Sequence, residues 1–153
     1  ERAPVEDKTV RAGLYNLSLN NTREDIIRAF LEGIALNTKW LMTPVEKFLG
    51  RKVGSINIVG GGAQSDVWCQ IFADVMNVEI KQVNEPVYAN ARGAAWIGAV
   101  GLGEIKFEDV SKLVVFKKTY SPNQSNRALY NERFEIFKSI YKQMKGVYKK
   151  LNS

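Results

Sequence analysis

The stretch "INIVGGGAQSDVW", residues 56–68, sets three consecutive glycines between a β-branched run and a segment of helical character. Upstream of the glycines, "SINIV" (residues 55–59) is short, β-branched and bounded by glycine, which predicts a strand, of the inner parallel kind. Downstream, Ser65 is placed to cap a helix from Asp66 to Met76, with Val67, Ile71 and Val75 on one face and Trp68 and Phe72 beside it. A strand running through glycines into a helix suits a phosphate or a nucleotide. A backbone without Cβ atoms allows close approach, and the N–H groups that open a helix favour anions.

Several readings of the turn compete. Gly60-x-Gly62-x-x-Ser65 imitates the G-x-G-x-x-G spacing of an NAD-type dinucleotide fold, and Glu85 lies at the distance expected of a ribose-binding carboxylate. Against it, Ser65 stands where close helix packing wants Gly or Ala, and Asp66 sets a negative charge beside the pyrophosphate. A P-loop needs a lysine followed by Ser or Thr after the last glycine, and "GGGAQSDVW" has no lysine. A third reading is a nucleoside lying on bare glycine backbone, with Asp66 or, less directly, Gln64 supplying a hydrogen bond. A turn of purely structural purpose is the fourth, and an isolated triplet does not exclude it.

Around this unit, residues 1–22 show no periodicity and read as an extended loop. Thr22 then caps a helix with Glu24 and Asp25 in its first turn, and Ile27, Phe30, Leu31, Ile34, Leu41, Val45 and Phe48 give it one apolar face. Pro44 predicts a kink, or a fresh start capped by Thr43. "VEIKQV" (78–83) is a second strand candidate, ended at "NEP". In "ANARGAAWIGAVGLG", Ala91, Gly93, Ala94, Ala95, Gly98 and Ala99 leave little bulk, so this helix could approach a sheet or another helix closely; Gly101 and Gly103 are stops. Residues 104–125 read as irregular. A last helix, Asn126 to Leu151, carries Tyr130, Phe134, Phe137, Tyr141, Met144, Tyr148 and Leu151 as a seam, read as a terminal helix laid along its own domain.

The chain has 153 residues, 45% hydrophobic, which suits one domain or a large piece of one. A single cysteine, Cys69, and no histidine exclude an internal disulfide, the usual zinc sites and every histidine-dependent triad. The formal net charge of +6 raises nucleic acid as a partner. Yet Lys138, Lys142, Lys145, Lys149 and Lys150 share one segment with the apolar seam, as a solvated outer face would, so no nucleic-acid surface is expected. Neither a leader nor a membrane span is evident, and a cytoplasmic location is the default. The start at Glu1, inside a loop, reads as a piece of a longer protein.

"IVGGGAQSDVWCQIFADVMNVEIKQVNEPVYANARGAAWIGAVGLG" resembles the C-terminal domain of the FGGY carbohydrate kinases, the xylulose kinase-like members among them. The resemblance rests on Gly60 to Ala63, Gln70, Ala73, Asp74, Pro86, Ala89, Gly93, Ala94 and Ala95. Upstream, "ERAP" with Asp7, Arg11 and Gly13, and then "IIRAFLEGIALN", agree with the family's loop and following helix.

The resemblance implies a ribonuclease H-like, actin-like ATPase fold of the α/β class, here partial, helix-rich and with a short, mainly parallel sheet. Residues 1–153 would be the later part of the ATP-binding domain. Gly60, Gly61, Gly62, Ala63, Gln64 and Asp66 would form the adenosine side of an ATP site. Asp66 stands where related kinases often have Asn, and an ionised carboxylate only accepts hydrogen bonds. The general-base aspartate and the sugar-binding N-terminal domain would precede Glu1. Asp7 reads as a loop carboxylate and Asp74 as a surface or packing residue, and neither is nominated as a base. The implied reaction is phosphoryl transfer from ATP, with Mg²⁺, to a hydroxyl of xylulose or a similar sugar or polyol. A truncated sheet would expose strand edges, so a homodimer is possible, and a non-catalytic interaction module is the other class.

Overall fold

The computed structural model describes residues 3–153, which form two compact units, one of the residues up to Lys52 with Asn123–Ser153 and one of Val53–Pro122. Glu1 and Arg2, which open the "ERAP" motif, lie outside the described residues. In chain order the elements are α1 (Arg23–Leu49), β1 (Ser55–Ile58), α2 (Asp66–Met76), β2 (Glu79–Val83), α3 (Ala89–Gly101), β3 (Phe116–Tyr120) and α4 (Arg127–Asn152), with short 3₁₀ turns between them.

The first unit is a pair of helices strapped by the N-terminal loop. Helix α1 starts at a capping box: Thr22 Oγ1 accepts from the Asp25 amide at 3.2 Å, and Asp25 accepts from the Thr22 amide at 2.9 Å. It ends at Gly50, whose φ of 64° needs a residue without Cβ. No fresh start occurs at Thr43, because the helix runs unbroken through Pro44. The aromatic seam of α4 lies on its own unit, as expected. Trp40 meets the edges of Phe137 and Tyr141 at centroid distances of 6.3 and 5.7 Å. Leu151 is the exception, left exposed at the end of the seam.

At the other end of the same helix pair, Glu32 is buried and saturated. It takes Arg28 Nε and Arg133 Nη1, both at 2.8 Å, and the Tyr130 hydroxyl at 2.9 Å, while Arg28 Nη2 donates to the same hydroxyl at 3.1 Å. A buried carboxylate with every partner in place couples the two helices, and losing it leaves two guanidiniums facing each other. The loop is held by Tyr141 donating to Asp7 at 3.1 Å, Tyr15 against Tyr148 at 2.7 Å and Asn152 donating to Thr9 O at 2.9 Å. Lys142, Lys145, Lys149 and Lys150 are exposed, as the solvated-face reading expected, whereas Lys138 is partly buried with its ammonium 4.7 Å from the Phe134 ring centroid.

The second unit is a three-stranded sheet in the order β1-β2-β3, parallel between β1 and β2 and antiparallel between β2 and β3. The sheet is therefore mixed, and two sequence readings need correction. Residues 116–120, "FKKTY", were expected to be irregular and form β3, an exposed edge strand whose lysines hid its period. The strand read from "SINIV" lies at an edge, not inside, since no described strand borders its far side. Ile56 and Ile58 pack with Phe72 and Val78 on a core of Cys69, Ala73, Ile80 and Tyr120. Helix α2 keeps its expected bounds, with Ser65 Oγ accepting from the Trp68 amide at 3.2 Å. Helix α3 fully buries none of its residues, and Ile97 is 74% exposed. No described helix is long and apolar enough to cross a membrane.

Replacing Glu32 by Ala should lower stability in urea unfolding by about 3 kcal/mol, whereas Glu132→Ala on the exposed side of α4 should stay within about 0.5 kcal/mol.

Candidate functional site

The glycine turn leaves β1 and enters a 3₁₀ turn, Gly61–Gln64, before α2 begins. Its three glycines have three different reasons. Gly60 sits at φ 88° and ψ −177°, a conformation open to glycine almost alone. Its amide donates to Pro86 O at 2.8 Å, tying this turn to the turn that precedes α3. At Gly62 a Cβ would come within 2.3 Å of the Trp68 ring, so the indole takes the space. Gly61 is exposed, and a Cβ there would meet nothing within 4 Å. Among the described residues nothing accounts for the third of these absences.

Ala63 points inward, fully buried, and its carbonyl is fixed from below. Gln82 of β2, itself 0% exposed, donates to it from Nε2 at 2.6 Å, and the Cys69 thiol lies at 3.6 Å. Gln82 in turn accepts from the Tyr120 hydroxyl at 3.2 Å. Gln64 and Asp66 are exposed beside Gly61 in sequence. Lys118 and Lys117 approach the Asp66 carboxylate at 3.5 and 3.9 Å. The Tyr120 hydroxyl first, then the two ammonium groups, hold Asp66 below the ordinary carboxylate range, so it is an acceptor at neutral pH. Burial and the adjacent Asp66 push the Tyr120 hydroxyl strongly upward, which keeps it protonated.

The structure therefore brings Gly60, Gly61, Gly62, Gln64 and Asp66 to one turn and turns Ala63 into the core beneath them. The residues missed from sequence are Gln82, Tyr120, Lys117 and Lys118. Gln82 had left a signal, since alternation in "VEIKQV" puts it on the same face as Ile80, where a polar side chain needs a partner. The strand carrying the other three was not recognised. Glu85, weighed for a ribose, is exposed at φ 44° in the turn that Gly60 bonds to. Asp7 and Asp74 are engaged within the chain: Thr9 and Tyr141 donate to the first, and Gln70 Nε2 to the second at 2.8 Å.

A family model described as the FGGY family of carbohydrate kinases, C-terminal domain, matches residues 1–102. The chain is 33% identical to a xylulose kinase of Staphylococcus epidermidis over 147 residues, which is 95% of this chain and 29% of that protein. It is 32% identical to the xylulose kinase of Bacillus subtilis over 158 residues, the whole of this chain and 31% of that one. Its fold superposes on the crystal structure of a ligand-bound xylulose kinase from Lactobacillus acidophilus with a TM-score of 0.85 at 26% identity, covering 98% of this chain and 30% of that one. A gluconate kinase from the same organism gives a TM-score of 0.83 at 26% identity, with the same coverage. The chain belongs to the FGGY family of carbohydrate kinases and spans about 30% of the length of the relatives it matches. The actin-like ATPase fold follows from that membership.

The differing reasons for the glycines are separable by substitution. Gly62→Ala should cost about 1–3 kcal/mol in urea unfolding, because the indole must move. Gly61→Ala should leave stability unchanged or raise it by up to about 1 kcal/mol.

Proposed function

We propose that this chain supplies the adenosine side of the ATP site in a sugar kinase. The single observation carrying the reading is Gly61: a bare, exposed backbone in a chain of this family, with no side chain of the protein accounting for the missing Cβ. Gly60 and Gly62 shape the turn on either side of it, and Ala63 anchors it to the sheet. Gln64 and Asp66 border it, and the ionised Asp66 would accept from a ribose hydroxyl or from the exocyclic amine of adenine. An acceptor-only group here departs from the family's Asn, and it selects for ligand edges that present donors.

ATP would supply the transferable phosphoryl group, and the residues of this chain bind and orient its nucleoside end. Residues 1–153, in this reading, are the later part of the ATP-binding domain. The general base and the sugar-binding domain lie in the remainder of a protein of the relatives' length. The acceptor is a hydroxyl of xylulose or a similar sugar or polyol, in keeping with the xylulose kinases and gluconokinases among the relatives. Mg²⁺ belongs to the complete reaction. Among the described residues there is no group of three His, Cys, Asp or Glu side chains that could hold a metal ion. A cytoplasmic location goes with this reading, and the open edge of β1 is the surface a second copy would use.

Separate titrations with ADP, ATP and NAD test the proposal. ADP and ATP should bind weakly, since the phosphate contacts lie elsewhere, and in preference to NAD. Asp66→Ala should weaken ADP binding about tenfold. NAD bound as well as ADP, or an ADP affinity indifferent to Asp66→Ala, would overturn the assignment. So would normal kinase turnover by the 153-residue chain alone.

A further inference from the structure

We infer that Lys39 is a site of covalent acylation: its amine is held against an aromatic ring that a second ammonium shares, and the reagent it suits is an acyl phosphate. The inference stands independently of the nucleotide reading, since Lys39 belongs to the helix pair of the first unit.

Lys39 of α1 meets the stripe of α4 that carries Arg127, Asn131, Phe134, Glu135 and Lys138, residues three or four apart on one side of the helix. Its ammonium lies 5.0 Å from the centroid of the Phe134 ring. The Lys138 ammonium lies 4.7 Å from the same centroid, so two positive groups crowd one ring. They are not equally provided for. Lys138 has a carboxylate of its own, Glu135 at 2.8 Å. Lys39 donates to Asn131 Oδ1 at 3.3 Å, a neutral acceptor, and forms no ion pair among the described residues. An aromatic face attracts a cation, but a second cation beside the first adds repulsion, and the member without a counterion relieves it by losing a proton. Burial draws the Lys39 ammonium below the usual lysine range; Arg127 and Lys138 act in the same direction and Glu135 against them. These three are the charged groups that face it, all of them from α4.

A lysine that is desolvated and set beside other cations keeps a lone pair where solvated lysines are protonated, which makes it a nucleophile. Lys39 is only partly buried, so a reagent in solution can reach it. The neighbours also select that reagent. An acyl phosphate carries its negative charge on the leaving group, and Arg127 and Lys138 attract it. In the step, the Lys39 nitrogen bonds to the acyl carbon and the bond from that carbon to the phosphate oxygen breaks. Inorganic phosphate leaves with the electron pair and takes up the proton that the nitrogen sheds. The product is a neutral amide, whose N–H still suits Asn131 Oδ1 and whose lost charge no longer opposes Lys138.

The test treats the 153-residue chain with acetyl phosphate to low conversion and measures the rate at each lysine by peptide mass spectrometry. At neutral pH Lys39 should be acetylated about three- to tenfold faster than the exposed Lys142, Lys149 and Lys150. The neutral amine is the reactive form and its proton is held less tightly than usual, so the Lys39 rate should level off at a lower pH than theirs. Lys138→Gln removes the second cation and should slow Lys39 about threefold while leaving the exposed lysines unchanged. With N-acetoxysuccinimide, an uncharged acyl donor, the lead of Lys39 should persist but shrink.

A Lys39 rate no greater than that of the exposed lysines, or one indifferent to Lys138→Gln, overturns the inference. A lead equally large with both reagents overturns the choice of an acyl phosphate. If Lys138→Gln does not fold, Glu135→Gln at an exposed carboxylate serves instead. It removes the one opposing charge and should speed Lys39, and an unchanged rate there overturns the inference as well.

Discussion

Strand β2 has to satisfy its backbone on both edges, parallel to β1 on one side and antiparallel to β3 on the other, and its unit is arranged around that demand. Helix α2 packs on one face of this strand, so Ile80 and Gln82 are buried there, whereas Glu79 and Lys81 on the other face stay partly exposed. Burial makes Gln82 costly unless it is bonded, and its bonds reach the turn above and the tyrosine beside it. The path from backbone pairing to site geometry is therefore short. The ladder places Gln82, Gln82 holds Ala63, and Ala63 sets where Gly61 presents its backbone.

The triple glycine shows why a run of one residue type should be divided before it is interpreted. Gly60 answers to a dihedral angle and Gly62 to the Trp68 ring, both requirements of the fold. A ligand need explain only Gly61. The functional reading proposed for the turn is narrower than the motif that suggested it, because structural causes have been assigned to two of the three glycines.

Much of the architecture was legible in the sequence because it rests on local chemistry. Thr22 and Ser65 are caps whose side chains each accept from the amide three residues ahead, and α1 and α2 begin where those caps predict. The aromatic seam of α4 repeats every three or four residues and packs on α1 at Trp40. What was not legible depends on distant partners. "FKKTY" becomes a strand because β2 offers it an edge, and its two central lysines conceal the alternation. The same cause limited the reading of the site. Gly60 to Asp66 is contiguous, whereas Tyr120, Lys117 and Lys118 reach Asp66 only across the sheet.

In the proposed nucleotide site, the carboxylate at position 66 has a physical consequence. A carboxylate beside a nucleotide adds negative charge where the ligand already brings several, and it would repel the phosphates unless offset. Two lysines from β3 stand at 3.5 and 3.9 Å from it, so the local sum is positive. The groups are about half exposed and screened by solvent, so the offset acts on the approach of the ligand more than on the stability of the fold. The strand that escaped sequence reading is thus what makes the carboxylate tolerable. The Asp at the exposed start of α2 and the two lysines of β3 form a linked set, joined across more than fifty positions of sequence.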